Sequence, residues 1–168
     1  AGVEGEFTQR HATGAVDVTL PLLAGPEASV AATKSCIAAM TLVLGLVGYW
    51  REDAGMISAF GRAPDMLSRA LDADWTSAKD FLDRDGPVYV VGRGPGLAIA
   101  AEAALKLKET SGLHAESISA AEIRHGPYAL AGPDLRAIIF AQRDAAFDGL
   151  KTLATDLIPQ GASVLLIS

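Results

Sequence analysis

The stretch VYVVGRGPGLAIAAEAALKLKETSGLHAESISAAEIRHGPYAL, residues 88–130, decides how the chain is read. It opens on Val88-Tyr89-Val90-Val91, a short apolar run bounded by turn residues, which predicts a buried strand. Gly92-Arg93-Gly94-Pro95-Gly96 is a glycine-rich turn, and a helix pattern follows from Leu97 to Thr110, stopped by Ser111-Gly112. A strand, turn and helix in this order leave free N–H groups at the helix start, where the macrodipole favours an anion. The helix carries Glu102, Lys106 and Glu109, at i, i+4 and i+7 and so on one face. Glu122-Ile123-Arg124-His125-Gly126-Pro127 then adds an imidazole. Carboxylates, an ammonium and an imidazole are the groups of a proton-transfer site. Glu102 and Lys106 are equally an ordinary stabilising pair on a wet helix face, so residue types and spacing leave both readings open.

Downstream, residues 137–141 read as a buried strand, 145–158 as an amphipathic helix stopped before Pro159 and Gly161, and 164–167 as a further strand. Strand, helix, strand, helix, strand argues an α/β fold, a parallel sheet with helices on both faces. The turn at 92–97 is not a dinucleotide fingerprint, because Leu97 stands where the third glycine would be, and no P-loop is present.

Upstream, the polar turn Asp83-Arg84-Asp85-Gly86-Pro87 is the expected domain boundary. Before it, a break at residues 61–64 precedes a helix whose Met66, Leu67, Ala70, Leu71, Ala78, Phe81 and Leu82 form one apolar face, with Trp75 packed there. A long helix is expected over residues 29–51. Its apolar part, residues 36–50, is shorter than the roughly 20 residues needed to cross a bilayer. Gly45 and Gly48 within it allow close approach of another element. Residues 15–20 read as a short strand ended by Pro21, and residues 1–14 as a loop or frayed start.

The totals bound the partners. The chain has 168 residues, 50% hydrophobic and 20% charged, which fits a soluble globular protein. A net charge of -6 with no long basic run argues against a nucleic-acid partner. The single cysteine, Cys36, excludes an internal disulfide and suits the cytoplasm, and no secretory leader is visible. The three histidines stand at no metal-ligand spacing, so no metal is expected; with neither a dinucleotide fingerprint nor a P-loop, no cofactor is expected.

The pieces VYVVGRG, AAEAALKLKETSGLHAES and AAEIRHGPYAL closely resemble the second sugar isomerase (SIS) domain of the glucosamine-6-phosphate synthase family and of related phosphosugar isomerases and deaminases. AGPEASVAATKS, residues 24–35, resembles the end of the first SIS domain of the same tandem proteins, and residues 64–75 sit where their inter-domain helix does. The resemblance implies a three-layer α/β/α sandwich with a parallel, flavodoxin-like sheet. It divides the chain into a remnant of a first SIS domain (1–52), a helical linker (53–86) and a second SIS domain (87–168).

The resemblance also implies an aldose–ketose isomerase of a sugar or amino-sugar 6-phosphate, which moves a proton between C1 and C2. Glu109 takes the place of the proton-transferring carboxylate and His125 that of the ring-opening histidine, lent by the neighbouring subunit of a homodimer. Lys106 and Glu102 match the ammonium and carboxylate that position Glu109 and polarise the substrate. Val30, Ala31 and Thr33, with Gly92, Arg93 and Gly94, are the implied substrate-binding residues. His114 also falls in the family pattern and reads as structural. Residues 1–168 hold no match to the family's serine- and threonine-rich phosphate loop, its C-terminal lysine or its glutamine-hydrolysing domain. An ammonia-releasing deaminase of an amino-sugar phosphate is one alternative reading, and a sugar-phosphate sensor without turnover, as some SIS domains are, is another; no membrane partner is expected.

Overall fold

The computed structural model describes residues 18–168, which fall into two compact units, one ending at Ala73 and the other running from Asp74 to Ser168.

In the first unit, α1 (Lys34–Trp50) and α2 (Ala54–Leu71) pack on each other. The glycines of α1 set the approach. A Cβ on Gly45 would meet the Phe60 ring at 2.9 Å, and one on Gly48 would meet Met56 Cβ at 3.1 Å. Tyr49 and Phe60 meet edge to face, with centroids 6.4 Å apart. α1 starts later than the expected residue 29, because Glu27 forms its cap from outside the helix. The Glu27 carboxylate accepts from Thr33 Oγ1 (3.1 Å), Lys34 N (3.1 Å), Ser35 N (3.0 Å) and Ser35 Oγ. These bonds, the Ser35 hydroxyl foremost, hold its pKa at about 2 against an ordinary 4.5.

The expected break at residues 61–64 is absent. α2 is capped by Asp53, whose Oδ1 accepts from Met56 N (3.0 Å), and runs through Pro64. Pro64 is exposed and has no N–H for the Phe60 carbonyl one turn earlier, and the helix continues past it without that bond. The break falls instead at residues 72–75, and a separate short helix, α3 (Thr76–Leu82), follows. Trp75 is half exposed, not packed into a continuous face. The expected strand at 15–20 lies partly outside the described residues, and residues 18–20 form no strand.

The second unit is a parallel sheet of four strands in the order β2-β1-β3-β4: β1 (Val88–Gly92), β2 (Ala115–Ser119), β3 (Arg136–Phe140) and β4 (Ser163–Ile167). In register, Val88 pairs with Ala115 on one side and with Arg136 on the other. α4 (Pro95–Ser111) and α5 (Phe147–Leu157) cover its two faces. Successive side chains of β1 alternate accordingly. Val88 and Val90 pack with Phe81, Ala100, Ala104 and Ile138, while Tyr89 and Val91 pack with Ile139, Leu150, Leu153 and Leu157. The sandwich is thus a three-layer α/β/α arrangement with an all-parallel sheet, as the sequence implied. β2 was not foreseen; its AESIS sequence is too polar for an apolar run, which suits its place at the sheet edge. Arg136 is buried, and its guanidinium donates to the carbonyls of Leu82 (2.8 Å) and Gly86, tying the turn before β1 to the start of β3.

Candidate active site

α4 starts as the glycine turn dictates. Gly92 closes β1 where a Cβ would collide with the Gly96 carbonyl, and Gly94 at φ +55 takes a backbone conformation that favours glycine. Pro95 occupies the first helical position, and Gly112, left-handed at φ +63, ends the helix. Gly96, Ala100 and Ala104 are the buried side of α4. Glu102 and Lys106 each stand two residues on from one of these alanines, about 200° round the helix. The charged face is therefore turned away from the sheet that α4 covers.

On that face Lys106 Nζ lies 2.7 Å from Glu109 Oε2 and 3.3 Å from Glu102 Oε1. The three side chains are only 22–36% exposed. The bond to Glu109 is the main reason the Lys106 ammonium holds its proton more tightly than usual, with Glu102 adding to it. The structure so brings Glu102, Lys106 and Glu109 together as a carboxylate–ammonium–carboxylate bridge.

His125 is placed by a different device. It ends a one-turn 3-10 helix, Ile123–His125, whose Ile123 is fully buried. Arg124 pairs with Asp156, and Tyr128 Oη donates to the Asp156 carbonyl (2.9 Å). Gly126 at φ +149 makes the bend into the next turn, Pro127–Leu130. His125 is exposed and lines a hollow of about 670 Å³ with Leu97, Ala101, Ser117, Ser119 and Glu122. Glu116 completes its acidic rim. That hollow adjoins the first turns of α4. Glu109 stands twelve residues beyond Leu97, about 18 Å along the helix axis at 1.5 Å per residue. Glu109 does not line this hollow.

Arg93 lines a second hollow, of about 530 Å³, on the other side of the turn that follows β2. Its Nη1 donates to Ser119 Oγ (3.3 Å), and its carbonyl accepts from Gln142 Nε2 (2.6 Å). Gly92 and Gly94 shape the turn that presents Arg93. Val30, Ala31 and Thr33 belong to the first unit, where Val30 is fully exposed, Ala31 buried and Thr33 bonded to Glu27 at the start of α1. Sequence reasoning overlooked Ser117, Ser119 and Glu116, because the strand that carries them has no apolar signature. Among the described residues, no group of three or more His, Cys, Asp or Glu is placed to hold a metal ion, and no helix is long and apolar enough to cross a membrane.

The SIS domain family model matches residues 82–168. The isomerizing glutamine–fructose-6-phosphate aminotransferase of Aeropyrum pernix is 37% identical over 167 residues, a match covering 90% of this chain and 26% of that protein. The chain therefore spans about a quarter of the length of such relatives. Among solved structures, a provisionally named phosphosugar isomerase from Silicibacter pomeroyi superposes with a TM-score of 0.84 at 38% identity, covering 91% of this chain and 47% of that one. The C-terminal domain of glucosamine-fructose-6-phosphate aminotransferase from Francisella tularensis gives 0.67 at 25% identity, covering 84% and 43%. One SIS domain is matched within the chain, and it coincides with the sheet, the glycine turn and α4. The chain belongs to the SIS domain family.

Proposed function

We propose that the chain is part of a phosphosugar isomerase that moves a proton between C1 and C2 of a sugar or amino-sugar 6-phosphate. The observation that carries this reading is the bridge on the outer face of α4, where Lys106 grips Glu109 and Glu102 on the side not used for packing. A carboxylate fixed in one rotamer by an ammonium is a base that needs no reorganisation to meet its substrate. In the proposed step Glu109 takes the proton from one carbon, leaving an enediol or enolamine, and returns it to the other. The Lys106 ammonium balances the charge that builds on the substrate oxygen. His125 from a neighbouring subunit protonates the ring oxygen as the sugar opens. The separation of Glu109 from the His125 hollow within one chain favours this two-subunit arrangement, and with it a homodimer. Val30, Ala31 and Thr33 border the sugar phosphate, residues 1–52 being the end of a first SIS domain joined through 53–86 to the second, 87–168. The step uses no cofactor.

The test is turnover by the full-length protein with fructose 6-phosphate and glucosamine 6-phosphate, comparing Glu109→Gln. A kcat loss of about 10²–10⁴-fold, with substrate still bound, is expected for removal of a general base. Undiminished isomerisation by Glu109→Gln would overturn the assignment.

A further inference from the structure

Leu97, Ala101, Leu105 and Glu109 are spaced four apart along α4 and form one ridge of the helix. The first two line the His125 hollow, and the last is a carboxylate of the bridge. Leu105 stands between them, a large aliphatic side chain left 41% exposed beside three charged groups. It belongs to neither of the apolar clusters that flank the sheet. α4 packs there through Ala100, Ala103, Ala104 and Leu107 instead.

Glu109 is flanked on both sides. At 3.6 residues per turn, Leu105 lies about 40° round the helix from Glu109 in one direction, and Lys106 about 60° in the other. Residues three and four apart on a helix have Cβ atoms about 5–6 Å from one another, so Leu105 adjoins both Glu109 and Glu102. Lys106 Nζ holds Glu109 Oε2 at 2.7 Å, which leaves Oε1 to receive a proton from carbon. The ammonium keeps its own protons more tightly than usual, chiefly through its bond to Glu109, so it is a poor source of exchange. Water is then the main route by which a proton carried on Glu109 is lost. The aliphatic side chain stands on the flank from which that water would approach.

We propose that Leu105 is a shielding wall of the site, which keeps water from the Glu109 carboxyl while it carries the proton. The hydrogen that leaves one carbon is then the hydrogen delivered to the other. As the C–H bond breaks, its electron pair enters the double bond of the enediol or enolamine and the proton goes to Glu109 Oε1. The same proton forms the new C–H bond on the neighbouring carbon, and the carboxylate is restored. Excluding water from a reacting centre suppresses proton leakage of this kind. The inference rests on the isomerase reading and adds to it what becomes of the proton in transit.

Turnover in D2O tests this. The full-length protein is given fructose 6-phosphate or glucosamine 6-phosphate, and the deuterium on the carbon that receives the proton is read by NMR at low conversion. Deuterium is expected in fewer than about half of the product molecules, because a shielded base returns its proton faster than it exchanges it. Leu105→Ser is expected to raise the ratio of deuterium to protium at least about threefold, with kcat falling by less than about tenfold, since the base itself is intact. Leu105→Met, which keeps an apolar wall, should hold the wild-type ratio. So should Ile158→Ser, at an exposed aliphatic residue outside α4. Complete deuteration by the wild type, an unchanged ratio in Leu105→Ser, or an equal rise in Ile158→Ser would overturn the shield while leaving Glu109 as the base. A fall in kcat for Leu105→Ser with no change in the ratio would make Leu105 merely structural and overturn it too. Undiminished isomerisation by Glu109→Gln, or no turnover of either sugar, overturns the isomerase reading itself, and the shield with it.

Discussion

The helix pair of the first unit and the sandwich of the second are both rich in apolar side chains, yet they bury them very differently. Of the seventeen residues of α1, only Gly45 and Gly48 are buried, and α2 has none buried. Val43, Leu46, Tyr49 and Trp50 are exposed, Trp50 at 83%. In the second unit Val90, Val91, Ile123, Ile139, Leu150 and Leu157 are fully buried. Two helices share one seam, so each can cover only a stripe of the other. A sheet with a helix on either side closes two interfaces at once, and the residues of the inner strands β1 and β3 fall into one or the other. Regular elements follow from local pattern in both units, but a core follows only where layers close.

This contrast can be broken by matched substitutions. The largest stability effect is expected at Leu150, fully buried against β1 and β3. Leu150→Ala should cost about 2–5 kcal/mol by denaturant titration, the range for emptying a packed leucine site. Leu46→Ala, on an exposed face of α1, should stay within about 0.5 kcal/mol. Equal costs would mean that the two units are not built differently. Gly92→Ala comes next, because the new methyl meets the backbone carbonyl of Gly96, which has no side-chain freedom to yield. A loss of about 1–3 kcal/mol is expected. Its counterpart, Gly61→Ala in α2, meets nothing within 4 Å and should raise stability by about 0.4–1 kcal/mol, through the lower entropy of the unfolded chain.

The smallest effect sharpens the contrast at one helix end. Folding lowers the Glu27 pKa to about 2 from 4.5, so its stabilisation of α1 is complete above pH 4.5 and is lost as pH falls toward 2. Protection from amide exchange, relative to the intrinsic rate, at Lys34 and Ser35, whose N–H groups donate to Glu27, should fall across that window and be lower at neutral pH in Glu27→Gln. The α/β unit's amides should not follow. Protection at Lys34 that is indifferent to pH and to Glu27→Gln would remove the cap.

Much of the fold was legible. The β1 run, the glycine turn, α4, β3, α5 and β4 each carry a local signal, and each appears within a few residues of its expected place. α2 and β2 were misread or missed for physical reasons. Pro64 forfeits a backbone bond inside the helix, yet α2, packed on α1, runs through it. An edge strand needs few apolar residues, so it left no run to find. The charged triad was legible because i, i+3 and i+4 neighbours meet on any α-helix.

The sequence alone determined that Glu102, Lys106 and Glu109 share a face, because helical periodicity is a local property of the backbone. Only the tertiary structure decided that this face turns away from the sheet, since the direction depends on which side of α4 the strands cover. Only it set Arg93 beside Arg124, thirty-one residues apart in the chain, and left His125 in a different hollow. Those juxtapositions arise from strand order, and strand order is fixed by packing between elements that carry no record of one another in their local sequence.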